Sequence, residues 1–336
     1  VYVLGNHDRE LHFPKVQRVL EDALEARGAP KGALRIEPWF FYAPGEIYAE
    51  HGQQYDHYGS FRYLLWPVVR QGGEDAIAVS MGNLSNRLLM SRMGYFNPHA
   101  SDYILNVFAY VAHWLRCYAF TRRSLALNWF LGSLLVIFQM LRTRRLLRRA
   151  PPQHVERLAQ VARQKGLKPA AVRALARLQS KPITGRLYRL VRELWIDRAL
   201  IAAVMTMTTL GLWLSSAPTW AKVLVPLSTF PLLYFIYEAL VEGETIFTIE
   251  TTIPRLARTI SRVLPARVVT FGHTHKPRQI PLSRDAVFVD TGTWAPVTRP
   301  RRRDRLAPGS RTWLEVAFQE GLPPRVTLGS CMPSGG

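Results

Sequence analysis

Four of the nine histidines in this 336-residue chain stand in three short, glycine-marked stretches. These are Gly5-Asn6-His7-Asp8, Glu50-His51-Gly52 and Gly272-His273-Thr274-His275. Imidazole nitrogen suits Zn, Fe, Mn or Ni, and an amide oxygen such as that of Asn6 completes the shell of a divalent first-row ion. Clustering of this kind favours metal or acid–base chemistry over ordinary structural histidines. The other five, His12, His57, His99, His113 and His154, have no such context and read as ordinary hydrogen-bonded residues.

The elements that must position these residues are strands. Val1–Leu4, Ile47–Glu50 and Arg267–Phe271 are β-rich, and each runs directly into one of the three stretches. The polar side chains are therefore expected at strand ends, where ligands bind in open α/β sheets. The apolar residues Val16, Val19, Leu20 and Leu24 predict a helix over 13–27, closed by Gly28. Further strands are predicted at 34–41, 286–289 and 312–318. Residues 1–100 and 242–336 thus alternate strand and helix, whereas the segment between them reads as helical and apolar. No internal repeat is present.

In that order the motifs resemble those of the calcineurin-like metallophosphoesterases, whose third to fifth motifs are G-N-H-[DE], a His beside Gly, and G-H-x-H. The Asp290–Trp294 stretch is similar to the N-T-G-S-W strand that often closes the same sheet, with Asp for Asn. The resemblance covers about 1–100 and 242–300. It implies a two-sheet α/β sandwich carrying two divalent metal ions (Mn, Fe, Zn or similar). It further implies that Asn6, His51 and His273 bind the second ion and His275 the first. His7 would protonate the leaving oxygen and contact the substrate phosphate together with Asn6, with Asp8 holding the His7 ring. Glu50 or Asp56 would support His51. The family's first two motifs, D-x-H and G-D-x-x-D, occur nowhere in the chain, which is accordingly expected to open at the third motif.

The middle of the chain carries the charge. The net charge is +20, and residues 142–198 hold 16 Lys or Arg against 3 acidic residues. Apolar runs at 124–141, 199–217 and 220–241 flank this basic region, the first two without charge and the last uncharged between Lys222 and Glu238. About 20 apolar residues span a bilayer as a helix, so these runs read as membrane segments. Because His7 and His51 precede the insert and His273 follows it, the chain must cross the membrane an even number of times. The simplest arrangement makes 199–241 a helical hairpin turned at 215–220 and leaves 124–141 in the interface or re-entrant; a span at 102–120 is the costlier alternative. The basic region then marks the catalytic side as cytoplasmic. Within it, 154–178 reads as two short helices around Gly166 to Pro169, lying against anionic lipid; nucleic acid is the weaker reading of the charge. Cys117 and Cys331 form no disulfide framework.

The expected organisation is a phosphoesterase domain built from 1–100 and 242–300, a helical insert over 101–241, and a basic extension over 301–336. The expected function is metal-dependent hydrolysis of a phosphate ester or pyrophosphate on a small-molecule or lipid-linked substrate at a membrane. The alternative is a catalytically inactive interaction or sensor protein on the same fold.

Overall fold

The computed structural model describes residues 1–89, 125–146, 151–240, 248–294, 297–298, 306–307 and 311–331. The expected alternative span at 102–120, with His99 and His113, and the basic run 299–305 lie outside these residues, as does Cys117. The described chain is mixed α/β. It divides into two compact units, one formed by 1–182 with 249–336 and the other by 183–248.

The centre of the first unit is a five-stranded mixed sheet. Its strands are β3 (Phe40–Ala43), β4 (Ile47–Glu50), β7 (Val268–Phe271), β8 (Arg278–Pro281) and β9 (Val287–Asp290), in the order β3-β4-β7-β9-β8. β4, β7 and β9 run parallel, and β3 and β8 pair antiparallel at the edges. β7 is buried along its whole length, as a central parallel strand covered on both faces must be. β1 (Tyr2–Val3) pairs in parallel with β2 (Ile36–Glu37) as a separate two-stranded sheet.

The single strand predicted over 34–41 is two short ones, β2 and β3. Pro38 stands between them, and with no N–H to donate it interrupts a ladder. Ile36 then pairs with Tyr2 and Phe40 with Glu50. A hairpin of β5 (Val68–Gln71) and β6 (Glu74–Ile77) turns at Gly72 and Gly73, both at positive φ. That Gly-Gly pair is the local signal for it. Two further antiparallel pairs complete the described strands: β10 (Val297–Thr298) with β11 (Leu306–Ala307), and β12 (Thr312–Ala317) with β13 (Arg325–Ser330).

Helix α1 (Pro14–Glu25) follows a 3-10 turn at Arg9–His12, with Pro14 at its first position, where the missing N–H costs nothing. A short α2 (Met81–Leu84), capped by the Ser80 hydroxyl, continues into a π-helical turn at Ser85–Leu89. Helix α3 (Leu125–Leu146) contains the first apolar run. It buries Ser133, Val136 and Met140 and leaves Phe130, Leu134 and Phe138 exposed.

Helices α4 (Pro152–Gln164) and α5 (Pro169–Arg177) are the predicted pair at 154–178. Their apolar stripe does not lie open to lipid. Val161, Ala162, Val172 and Leu175 join the main core with Phe40, Tyr48, Phe271 and Phe288. Helix α9 (Thr248–Val263) adds Ile253, Ala257 and Ile260 to that core. Residues 151–182 accordingly fall with the first unit and not with the hairpin that follows.

The second unit contains α6 (Leu187–Glu193), α7 (Ile196–Leu214) and α8 (Thr219–Leu240). Among the described residues α7 and α8 are the helices long and apolar enough to cross a membrane, and apart from Met205 on α7 none of their residues is buried within the structure. They form a hairpin through Ser215–Pro218. Near its open end Arg198 donates Nε and Nη2 to the two carboxylate oxygens of Glu238, at 2.6 and 2.9 Å. The Tyr237 hydroxyl meets the Asp197 carboxylate beside them. At the turn, Lys222 Nζ donates to the Trp213 carbonyl at 3.0 Å.

Candidate functional site

β1, β4 and β7 each end at one of the three sequence stretches, and their side chains meet. His51 Nε2 lies 3.0 Å from Asn6 Oδ1 and 3.4 Å from His273 Nδ1. The two rings stand edge to face with centroids 5.2 Å apart. An ion with ligands at ~2.1 Å holds neighbouring donor atoms about 3.0 Å apart at a right angle and about 3.4 Å apart at a tetrahedral angle. The two spacings around His51 Nε2 match donor–donor edges of a divalent-ion site, and they match hydrogen bonds within the group equally. Counting only His, Cys, Asp and Glu, no group of three among the described residues is placed to hold a metal. The convergent set has two imidazoles and needs the Asn6 carboxamide as its third member.

Two glycines make the approach of the rings possible. A Cβ on Gly5 would stand 3.1 Å from the His51 ring, and one on Gly59 would stand 3.0 Å from His273 Cε1. Asn6 is itself buried, and its carbonyl accepts from Asn83 Nδ2 at 2.7 Å. The Gly5-to-Asp8 turn is thus tied to the start of α2.

Electrostatics favour a neutral His51 ring. Burial is the largest effect on His51, and the nearby His273, His275 and His7 push in the same direction, so its pKa falls well below the ordinary imidazole value. Burial works against ionisation of Asp56, but its bond with His273 and the Tyr58 N–H outweigh that and hold it below the usual carboxylate range. Asp56 Oδ2 lies 3.0 Å from His273 Nε2. With Nε2–H directed at this carboxylate, His273 presents the lone pair of Nδ1 toward His51. A carboxylate behind a ligating imidazole commonly fixes its tautomer and raises its basicity.

Asp56 therefore supports His273, where the sequence analysis paired Glu50 or Asp56 with His51. Glu50, the last residue of β4, turns into the core. It accepts from the Tyr48 hydroxyl at 2.8 Å and from Gln54 Nε2. Burial lifts its pKa to about 7.

His7 is exposed beside the three donors. Partial desolvation first, then the charge of His273, lower its pKa, while Asp8 opposes the shift. Asp8 does not bond the His7 ring. The 3-10 turn that begins at Arg9 carries its carboxylate back to β1, where it accepts the Gly5 N–H at 3.3 Å and faces the Tyr2 hydroxyl. His275 sits at φ 61°, in the left-handed region, which costs a non-glycine residue on the order of 1 kcal/mol. It is near enough to His51 to shift its titration. Behind it Thr274 donates to Asp290 at the end of β9, and Asp290 also accepts the Gly292 N–H. The Asp290–Trp294 stretch thus braces the Gly272–His275 turn.

The loop after His51 is held by the segment that follows α5. Ser180 donates its N–H to the Gln54 carbonyl at 2.8 Å and its hydroxyl to the Tyr55 carbonyl at 2.6 Å, and Gln179 donates to the Phe61 carbonyl. A segment far away in sequence thereby sets where Asp56 stands. Beside His7 opens a cavity of about 290 Å³, lined by His7, Arg9, Asn83, Asn86 and Arg87. Sequence reasoning missed these last four. Only Arg9, next to the Gly5-to-Asp8 stretch, carried a local hint. Compared with protein-family models, curated proteins and solved structures, the chain matches none.

Proposed function

We propose that the site is a metal-dependent phosphoesterase centre on a calcineurin-like scaffold, hydrolysing a phosphate ester or pyrophosphate. The observation that carries this reading is the convergence of Asn6 Oδ1, His51 Nε2 and His273 Nδ1 at three strand ends, with His7 and His275 beside them. When bound there, a divalent ion supplies positive charge to phosphoryl oxygens and lowers the pKa of a coordinated water. Asn6 and the desolvated His51 ring are neutral donors. Asp56 holds His273 in one tautomer. Desolvation first, then the charge of His273, lower the His7 pKa against the pull of Asp8. A dianionic substrate beside it raises its affinity for a proton, which His7 then passes to the leaving oxygen. His275 is the ligand this chain offers to a second ion.

The α7–α8 hairpin is proposed to lie in the membrane, with the basic residues of 142–198 against the anionic cytoplasmic leaflet. A lipid-linked phosphate or pyrophosphate is the substrate class that this placement favours. The competing reading is a non-catalytic membrane-bound protein. It is favoured by the lone His275 that the described residues offer to a second ion.

The two readings separate in one experiment. The protein in detergent is stripped of metal, reloaded with Mn, Zn or Fe, and assayed on aryl phosphate mono- and diesters beside His273→Ala. The phosphoesterase reading expects hydrolysis that returns only with metal and is lost in the variant. Hydrolysis unchanged by stripping, or none with any ion, would refute it.

A further inference from the structure

Among the described residues, the wall of the cavity beside His7 carries two arginines, two carboxamides and no acidic side chain. Arg9 is 9% exposed, and among the described residues its side chain bonds Glu10, through Nε at 3.2 Å. Its Nη1 is buried with no hydrogen-bond partner among the described residues. A desolvated guanidinium nitrogen left unpaired is costly, and such a group is retained where an anion completes it. Asn83 is buried and tied to the Asn6 carbonyl, so this wall is rigidly joined to the metal-ligand turn. Asn86 and Arg87 lie exposed on the π-helical turn and complete the lining. Planar guanidinium forks and amide N–H groups are the donors that recognise tetrahedral oxyanions.

We propose that this cavity binds a second phosphate-class oxyanion of the substrate, distinct from the phosphoryl group at Asn6, His51 and His273. The proposal rests on the phosphoesterase reading for what it says of the substrate. His7 borders both places, and in that reading it protonates the leaving oxygen. The second anionic group therefore belongs to the leaving-group side. That narrows the substrate class to phosphate compounds whose leaving group itself carries a phosphate or similar oxyanion. A simple aryl or alkyl monoester would fill only the metal side.

The test measures binding without turnover. Protein held in excess EDTA at low salt is titrated calorimetrically with inorganic phosphate, so that no metal can carry the anion. Arg87→Gln should weaken binding by about ten- to a hundredfold. Asn86→Asp should abolish it by placing a negative charge in the wall without disturbing buried packing. Arg70→Gln removes the same charge from the exposed β5–β6 hairpin and should leave binding as it is. Wild-type protein that binds no phosphate, or Arg87→Gln and Asn86→Asp variants that bind like wild type, would overturn the proposal. Phosphate binding with this variant pattern, in a protein that shows no metal-dependent hydrolysis, would refute the phosphoesterase reading and leave the anion site standing. The converse result would refute the anion site alone.

Discussion

At the scale of single residues, the ionised carboxylate of Asp56 behind His273 decides the most. It stands 3.0 Å from Nε2, and with the Gly59 N–H and Tyr58 N–H also donating to it, it cannot turn away. Asp56→Asn keeps the shape but removes the charge and allows the opposite tautomer of His273. Removal of such a supporting group commonly costs roughly 10–100-fold in metal affinity. A metal titration of Asp56→Asn should show that loss with the fold intact by circular dichroism. Affinity equal to wild type would mean that His273 is not oriented through Asp56.

At the scale of elements, α4 and α5 are structural parts of the sheet domain. Leu175 is 1% exposed and Val172 equally buried, packed in the core that also holds Phe271 just before the Gly272–His275 turn. Leu175→Ala should destabilise the first unit by about 2–5 kcal/mol, the usual cost of a buried Leu truncated to Ala. Arg173→Ala on the exposed face of the same helix should stay within about 0.5 kcal/mol. Denaturant unfolding in detergent measures both. A Leu175→Ala variant as stable as wild type would detach the pair from the core. Because Gln179 and Ser180 clamp the 52–61 loop, Leu175→Ala should also loosen metal binding.

At the scale of the whole molecule, two properties are testable. His12 is buried at 4% exposure, and burial first, then Arg157, takes its pKa down to about 4. Above about pH 6.5 the ring is neutral in folded and unfolded chains alike and contributes no pH dependence. Between about 6.5 and 4 the unfolded chain takes up the proton first, so stability falls on acidification, by about 3 kcal/mol in all. The unfolding midpoint of His12→Gln should change less between pH 7 and 4.5 than that of wild type; an equal change would place the acid sensitivity elsewhere. The second property is membrane anchorage. Replacing 199–237 by a short Gly/Ser linker should abolish flotation with anionic vesicles at high salt, where the remaining basic surface is screened. Flotation undiminished by that deletion would show that α7 and α8 are not the anchor.

What the sequence determined by itself is local. Strand ends leading into glycine-marked His and Asn stretches, a helix closing at Gly28 and a hairpin of two apolar runs are all written in contiguous residues. Tertiary structure decided the rest. Asp56 and His273 are 217 positions apart, and only the parallel pairing of β4 with β7 brings them together. The apolar stripe of 154–178 has one period whether it faces lipid or a protein core, so its burial against α9 and the sheet could not be read from spacing. Arg87, Asn86 and Asn83 carry no motif. They become a cavity wall because Asn83 bonds the Asn6 carbonyl and fixes the start of α2 beside His7, a contact between groups 77 residues apart that no local preference encodes.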